Sequence, residues 1–93
     1  MDNAQKLVIL KKDLQLTTTA NDEFLNFLLE KAKIHISEEG IILIDGDMKS
    51  DVIVIDYAAY LFRKRASADT TMPRSLRYDL NNMLFNQKMG GVL

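Results

Sequence analysis

Leu7, Leu10 and Leu14 recur at three- and four-residue spacing, the signature of one helical face, with Gln5 and Lys12 on the opposite side. Asp2 or Asn3 is placed to cap this first helix, and Ile9 lies off its stripe. Thr17-Thr18-Thr19-Ala20-Asn21 then breaks the pattern, because hydroxyl and amide side chains compete for backbone hydrogen bonds. Thr19 or Asn21 is the expected cap of a second helix, about Asp22 to Ser37, whose first turn carries Asp22 and Glu23 where the helix dipole favours negative charge. Its apolar stripe is Leu25, Leu28, Leu29, Ala32 and Ile36, widened by Phe24 and Phe27. Gly40 is a natural left-handed stop.

Ile41-Ile42-Leu43-Ile44 before Asp45-Gly46 has the composition of a strand entering a tight turn. A strand needs a partner, and only Val52-Ile53-Val54-Ile55 could supply one. That second run continues at helical spacing through Tyr57, Ala58, Tyr60, Leu61 and Phe62, so it reads as the start of a third helix, about Ser50 to Ala66. A hairpin over 41–55 is the competing reading. The third helix is apolar on nearly every face of its first three turns. Such a helix is central in a bundle or covered by another subunit, and three short helices are few to cover it. Pro73 suits the first position of a fourth helix with the stripe Leu76, Leu80, Met83 and Leu84, ended by Gly90-Gly91 and followed by the apolar Val92-Leu93. The expected fold is a single all-α domain over residues 1–93: a small bundle of four helices with a variable loop, or a short strand or hairpin, between helices two and three.

Composition narrows the class. In 93 residues, 47% are hydrophobic and 27% charged, which suits a folded chain and argues against disorder. A domain of this size buries a small core and is often helped by a partner. With no cysteine there is no disulfide framework and no cysteine zinc site. Met1 opens a polar, acidic segment, so no signal peptide is expected, and the longest apolar run is about half of what a bilayer requires. Charge is uneven along the chain. Residues 1–51 carry ten acids and six lysines, whereas residues 52–93 carry three acids and six bases, with all four arginines between Arg63 and Arg77. This asymmetry reads as a basic patch, as a surface that meets its own opposite, or as chance scatter.

Catalytic chemistry finds little material. His35 is the only histidine, has no cysteine or convincing serine beside it, and reads as structural. Asp45-Gly46-Asp47 with Asp51 is a fragment of a calcium loop whose glycine is misplaced and whose closing glutamate is missing, so it reads as a turn. No catalytic residue, metal or cofactor is expected. Arg63-Lys64-Arg65 suits a helix C-terminus, but Arg74 and Arg77 sit near a helix start, where the dipole gives them no help. Four arginines around one loop suit phosphates or carboxylates equally.

The run Asp56-Tyr57-Ala58-Ala59-Tyr60-Leu61-Phe62-Arg63-Lys64-Arg65, followed by Met72-Pro73-Arg74 through Leu80-Asn81-Asn82, resembles the small head–tail connector proteins of tailed bacteriophages and prophages, also described as DNA-packaging or head-completion proteins. The likeness covers most of the chain and is strongest from Asp51 to Lys88. It implies a non-enzymatic helical protomer that forms a homo-oligomeric ring beneath the portal, extends the DNA channel and contacts the next neck component. DNA would pass through without sequence-specific binding, with assembly in the bacterial cytoplasm and residence in the virion neck. Isolated protomers can be monomeric under this reading, since the portal can act as template.

On this reading the interface residues are Tyr57, Tyr60, Arg63, Arg65, Arg74 and Arg77, and helix three with the arginine loop meets helix one or two of the next subunit. A small helical nucleic-acid-binding regulator of a prophage is the alternative, with Arg74 and Arg77 on phosphates. A protein-interaction subunit that never closes a ring ranks third.

Overall fold

Four helices carry the regular structure of the chain, whose computed structural model describes residues 1–67 and 69–90: α1 (Asn3–Asp13), α2 (Asp22–Glu38), α3 (Met48–Ala66) and α4 (Arg74–Met89). Among the described residues there is no strand, and the fold is an all-α bundle. Gly91, Val92 and Leu93, including the apolar tail, lie outside the described residues.

Local chemistry explains the helix starts. Asp2 caps α1 by a capping box: its Oδ1 accepts the Gln5 N–H at 2.8 Å, and Gln5 Oε1 accepts the Asp2 N–H at 3.0 Å. α3 begins two residues earlier than its hydrophobic pattern suggests, because Asp47 is the cap and its Oδ2 accepts the Ser50 N–H at 3.1 Å. Pro73 stands just outside α4 as its cap residue rather than at the first helical position. Asn21 is the cap position of α2 but makes no side-chain capping bond, and Thr19 contributes only its carbonyl, to the Asp22 N–H.

Two helix ends are closed by a left-handed residue. Gly40 adopts φ +92° after α2, the left-handed geometry glycine tolerates. α1 ends the same way on Gln15, at φ +59°, with the Leu16 N–H on the Lys11 carbonyl at 2.9 Å and the Gln15 N–H on the Lys12 carbonyl at 3.2 Å. Those two bonds form a Schellman motif, normally closed by glycine.

The segment Ile41–Ile44 is neither strand nor hairpin. Side chains bond three of its backbone groups instead. Gln87 on α4 accepts the Ile42 N–H at 2.9 Å and donates to the Ile42 carbonyl at 2.7 Å. Ser50 Oγ accepts the Ile44 N–H at 3.0 Å and donates to Asp47. With these bonds met, no partner strand is needed, and Val52–Ile55 is free to be helix.

α3 is the central helix, covered by α1, α2 and α4 together. Ile53, Val54, Ile55, Tyr57, Ala58, Ala59 and Tyr60 are all buried, so three neighbours suffice where the sequence pattern suggests a shortfall. α2 makes the largest contact with α3, whereas α4 packs chiefly on α3 alone. The molecule measures 43 × 31 × 18 Å, a slab about two helix layers thick that leaves outer faces uncovered. Phe27, expected to widen the α2 stripe, is on such a face and 58% exposed, and Ile9 is exposed on α1.

Candidate functional site

The six residues singled out from the sequence do not form one cluster. Tyr57 and Tyr60 are only 8% exposed, with their rings edge to face at 5.9 Å, and they belong to the chain's own core. Burial, then Glu39 and Tyr60, push the Tyr57 phenol above its ordinary value, with Arg77 opposing. His35 stacks on Tyr57 at 5.8 Å and lies 3.5 Å from Glu38, a structural setting.

The arginines are divided by the packing. Arg63 reaches back to Asp13 at the end of α1, with N–O 3.2 Å. Arg65 lies over the rings of Phe62 (4.7 Å) and Phe24 (5.1 Å), and Lys64 lies over Tyr60 at 5.7 Å. Arg77 forks onto Glu39, at 2.7 and 3.2 Å, and this hydrogen bonding raises its already high pKa against the opposing effect of burial. Phe24 and Glu39 mark opposite ends of α2, about 20 Å apart along its axis, so Arg65 and Arg77 are anchored far from each other. Arg74 is exposed and has no ion-pair partner among the described residues.

The charge asymmetry of the sequence is therefore met in part within the chain. Asp13 and Glu39 from the acidic half hold Arg63 and Arg77 from the basic half. The acids around Gly46 also have structural duties. Asp47 caps α3, and Asp51, 5% exposed, receives the Met1 amino group at 3.2 Å and Lys6 Nζ at 3.5 Å. Among the described residues no group of three or more potential metal ligands converges.

What sequence reasoning missed is a groove between α3 and α4, about 590 Å³ in volume. Met48, Val52, Ile53 and Met83 give it apolar walls, and Asp47, Asp56 and Asp79 give it three carboxylates against one lysine, Lys49. Burial, then the like charges of Asp13 and Asp79, push the Asp56 carboxyl above its ordinary value, while Arg63 pulls it back. No spacing rule could show this groove, since Asp56 and Asp79 face it from different helices. Met48 also borders a shallower hollow with Met1, Gln5, Val8 and Ile9. The arrangement offers apolar and charged docking surfaces.

Comparison with family models, with curated proteins and with solved structures returns no match to this chain. Among the described residues no helix is long and apolar enough to cross a membrane.

Proposed function

We propose that this chain is a structural protomer of a phage or prophage head–tail connector, assembling as a ring beneath the portal and joining head to tail without catalysis. The observation that carries the reading is the placement of large apolar side chains on the outside of all four helices. Val8, Phe27, Ile34, Met48, Tyr78, Phe85 and Met89 are each more than half exposed although the core is already filled. A ring protomer needs at least two different complementary faces, and such surfaces suit that need.

The internal pairing of Arg63 and Arg77 narrows the basic face of the ring contact to Lys64 and Arg65 at the end of α3, with Arg74 as a separate contact at the start of α4 and Tyr57 and Tyr60 supporting α3 from within. Its complement on the neighbour is the groove bearing Asp47, Asp56 and Asp79, rather than helix one or two. The partners are further copies of the chain, the portal and the next neck component, in the host cytoplasm during assembly and then in the virion neck.

Co-expression with a phage portal protein from the same genome tests the proposal. A ring of this chain on the portal, lost in an Arg65→Glu/Arg74→Glu variant that stays folded, is the expected result. No association with the portal would overturn it. A nucleic-acid regulator would need both Arg74 and Arg77 on phosphates, and Arg77 is forked onto Glu39. Salt-resistant duplex binding that disappears in Arg74→Ala/Arg77→Ala would favour that reading instead.

A further inference from the structure

α4 carries a second apolar stripe on the side away from the bundle. Leu76 and Leu80 are buried against the core, whereas Tyr78, Phe85 and Met89 are 67%, 61% and 72% exposed. At 3.6 residues per turn these three, with Arg74, lie about 180° around the helix from the buried leucines. Asn81 and Asn82 are exposed midway between them, and no acid stands on the stripe.

The order of the stripe is symmetric about the midpoint between Asn81 and Asn82. Lay a second α4 across it antiparallel, with the two-fold axis at that midpoint. Tyr78 then faces Phe85 of the second copy and Arg74 faces Met89, each contact occurring twice, while Asn82 meets Asn82 on one side of the axis and Asn81 meets Asn81 on the other. We infer that this face of α4 is a two-fold interface whose occupant is α4 of a second copy of the chain.

Three further observations fit that occupant. Arg74 has no ion-pair partner among the described residues and sits at a helix start, where its own dipole is unfavourable. In the antiparallel pair it meets the other helix's C-terminal end, whose carbonyls carry partial negative charge. Asn81 Oδ1 accepts a long bond from Arg77 at 3.5 Å, leaving its NH₂ free to donate to Asn81 of the second copy. Lys88 is the one like charge near Arg74, and its flexible stem lets it swing outward.

The exposed parts of Tyr78, Phe85 and Met89, with Arg74, Asn81 and Asn82, bring the two-sided area to about 1,000–1,200 Å², the low end for a specific contact. A reversible dimer in the micromolar range or weaker is therefore expected. The inference stands apart from the ring reading, and the two surfaces share Arg74 and Asn82, which also lines the α3–α4 groove.

Sedimentation of the full chain from micromolar to millimolar concentration tests it. A single monomer–dimer equilibrium is expected, weakened by at least about thirtyfold in Phe85→Glu and unchanged in Phe27→Glu, which alters the exposed face of α2. Because the chain has no cysteine, Asn82→Cys should close a disulfide across the axis under mild oxidation, whereas Asn26→Cys on α2 should not. A monomer at every concentration, a dimer indifferent to Phe85→Glu, or an open series of larger oligomers would each overturn the inference. None of these results depends on the portal, so they leave the ring proposal to its own test.

Discussion

Gln87 holds Ile42 from both sides of one amide, its Oε1 accepting the Ile42 N–H at 2.9 Å and its Nε2 donating to the Ile42 carbonyl at 2.7 Å. A side chain from α4 thus does what a neighbouring strand would do for an extended segment. Ile41 beneath it is buried, so the clamp also seats the α2–α3 connection on the core. Gln87→Ala should destabilise the fold by about 1–2 kcal/mol and speed amide exchange at Ile42. Gln87→Glu keeps an acceptor but sets a carboxylate against the Ile42 carbonyl, and should cost at least as much. Urea denaturation with exchange measured at Ile42 checks both.

Gln15 and Gly40 occupy left-handed positions after two different helices, one with a side chain and one without. Gln15→Gly should stabilise the chain by about 0.5–1 kcal/mol, because it removes the cost of a Cβ in that geometry. Gly40→Ala should do the reverse. Its new Cβ would lie 3.6 Å from Leu84 Cδ1, an ordinary contact, so the loss of about 1 kcal/mol comes from the backbone rather than from a clash. Thermal unfolding of the two variants should show shifts of opposite sign.

Asp51 is a buried acid at the start of α3, and Lys6 from α1 is buried beside it. Asp51→Asn leaves that lysine without its counter-charge and should cost about 3 kcal/mol. Adding Lys6→Met should recover part of the loss, since it removes one unpaired buried charge while the Met1 amino group still lacks its counter-charge. A double-mutant cycle by chemical denaturation measures this directly.

Asp56 supplies a pH dependence whose sign follows from its raised folded-state pKa. Between the ordinary aspartate value of about 4 and the higher folded value, the native state binds more protons than the unfolded chain. Stability contributed at this site is thus fully present below the unfolded value and is lost as pH rises through the folded one. Asp56→Asn should flatten that part of the stability profile and be neutral or mildly stabilising at pH 7. Asp79→Asn should lower the Asp56 pKa, read by NMR titration of its side-chain carboxyl, because it removes a like charge.

Helix number and core stripes were legible because they depend on contacts within a turn or two. The Leu25, Leu28, Leu29, Ala32 and Ile36 stripe of α2 is buried as its spacing indicates, and of the α4 stripe Leu76 and Leu80 are buried while Met83 and Leu84 are half-buried. The Asp2 cap, too, is a local signal, since its partner Gln5 is three residues away. The Asp47 cap was obscured because the apolar run begins only at Val52, and the Gln15 stop because glutamine carries no turn preference to read. The candidate site was the least legible part. Tyr57 and Tyr60 share their composition with an interface, and only their position under α2 and α4 makes them core.

By itself, the order of residues along this chain determined four helices and the buried stripes of α2 and α4, because periodicity and capping are properties of short segments. Tertiary packing alone decided the rest. It set Gln87 where a strand would otherwise be needed for Ile42, forked Arg77 onto Glu39, and brought Asp56 and Asp79 to one groove. These are pairings between helices distant in sequence. Their energies depend on where each helix lies against its neighbours, which no spacing within a single segment encodes.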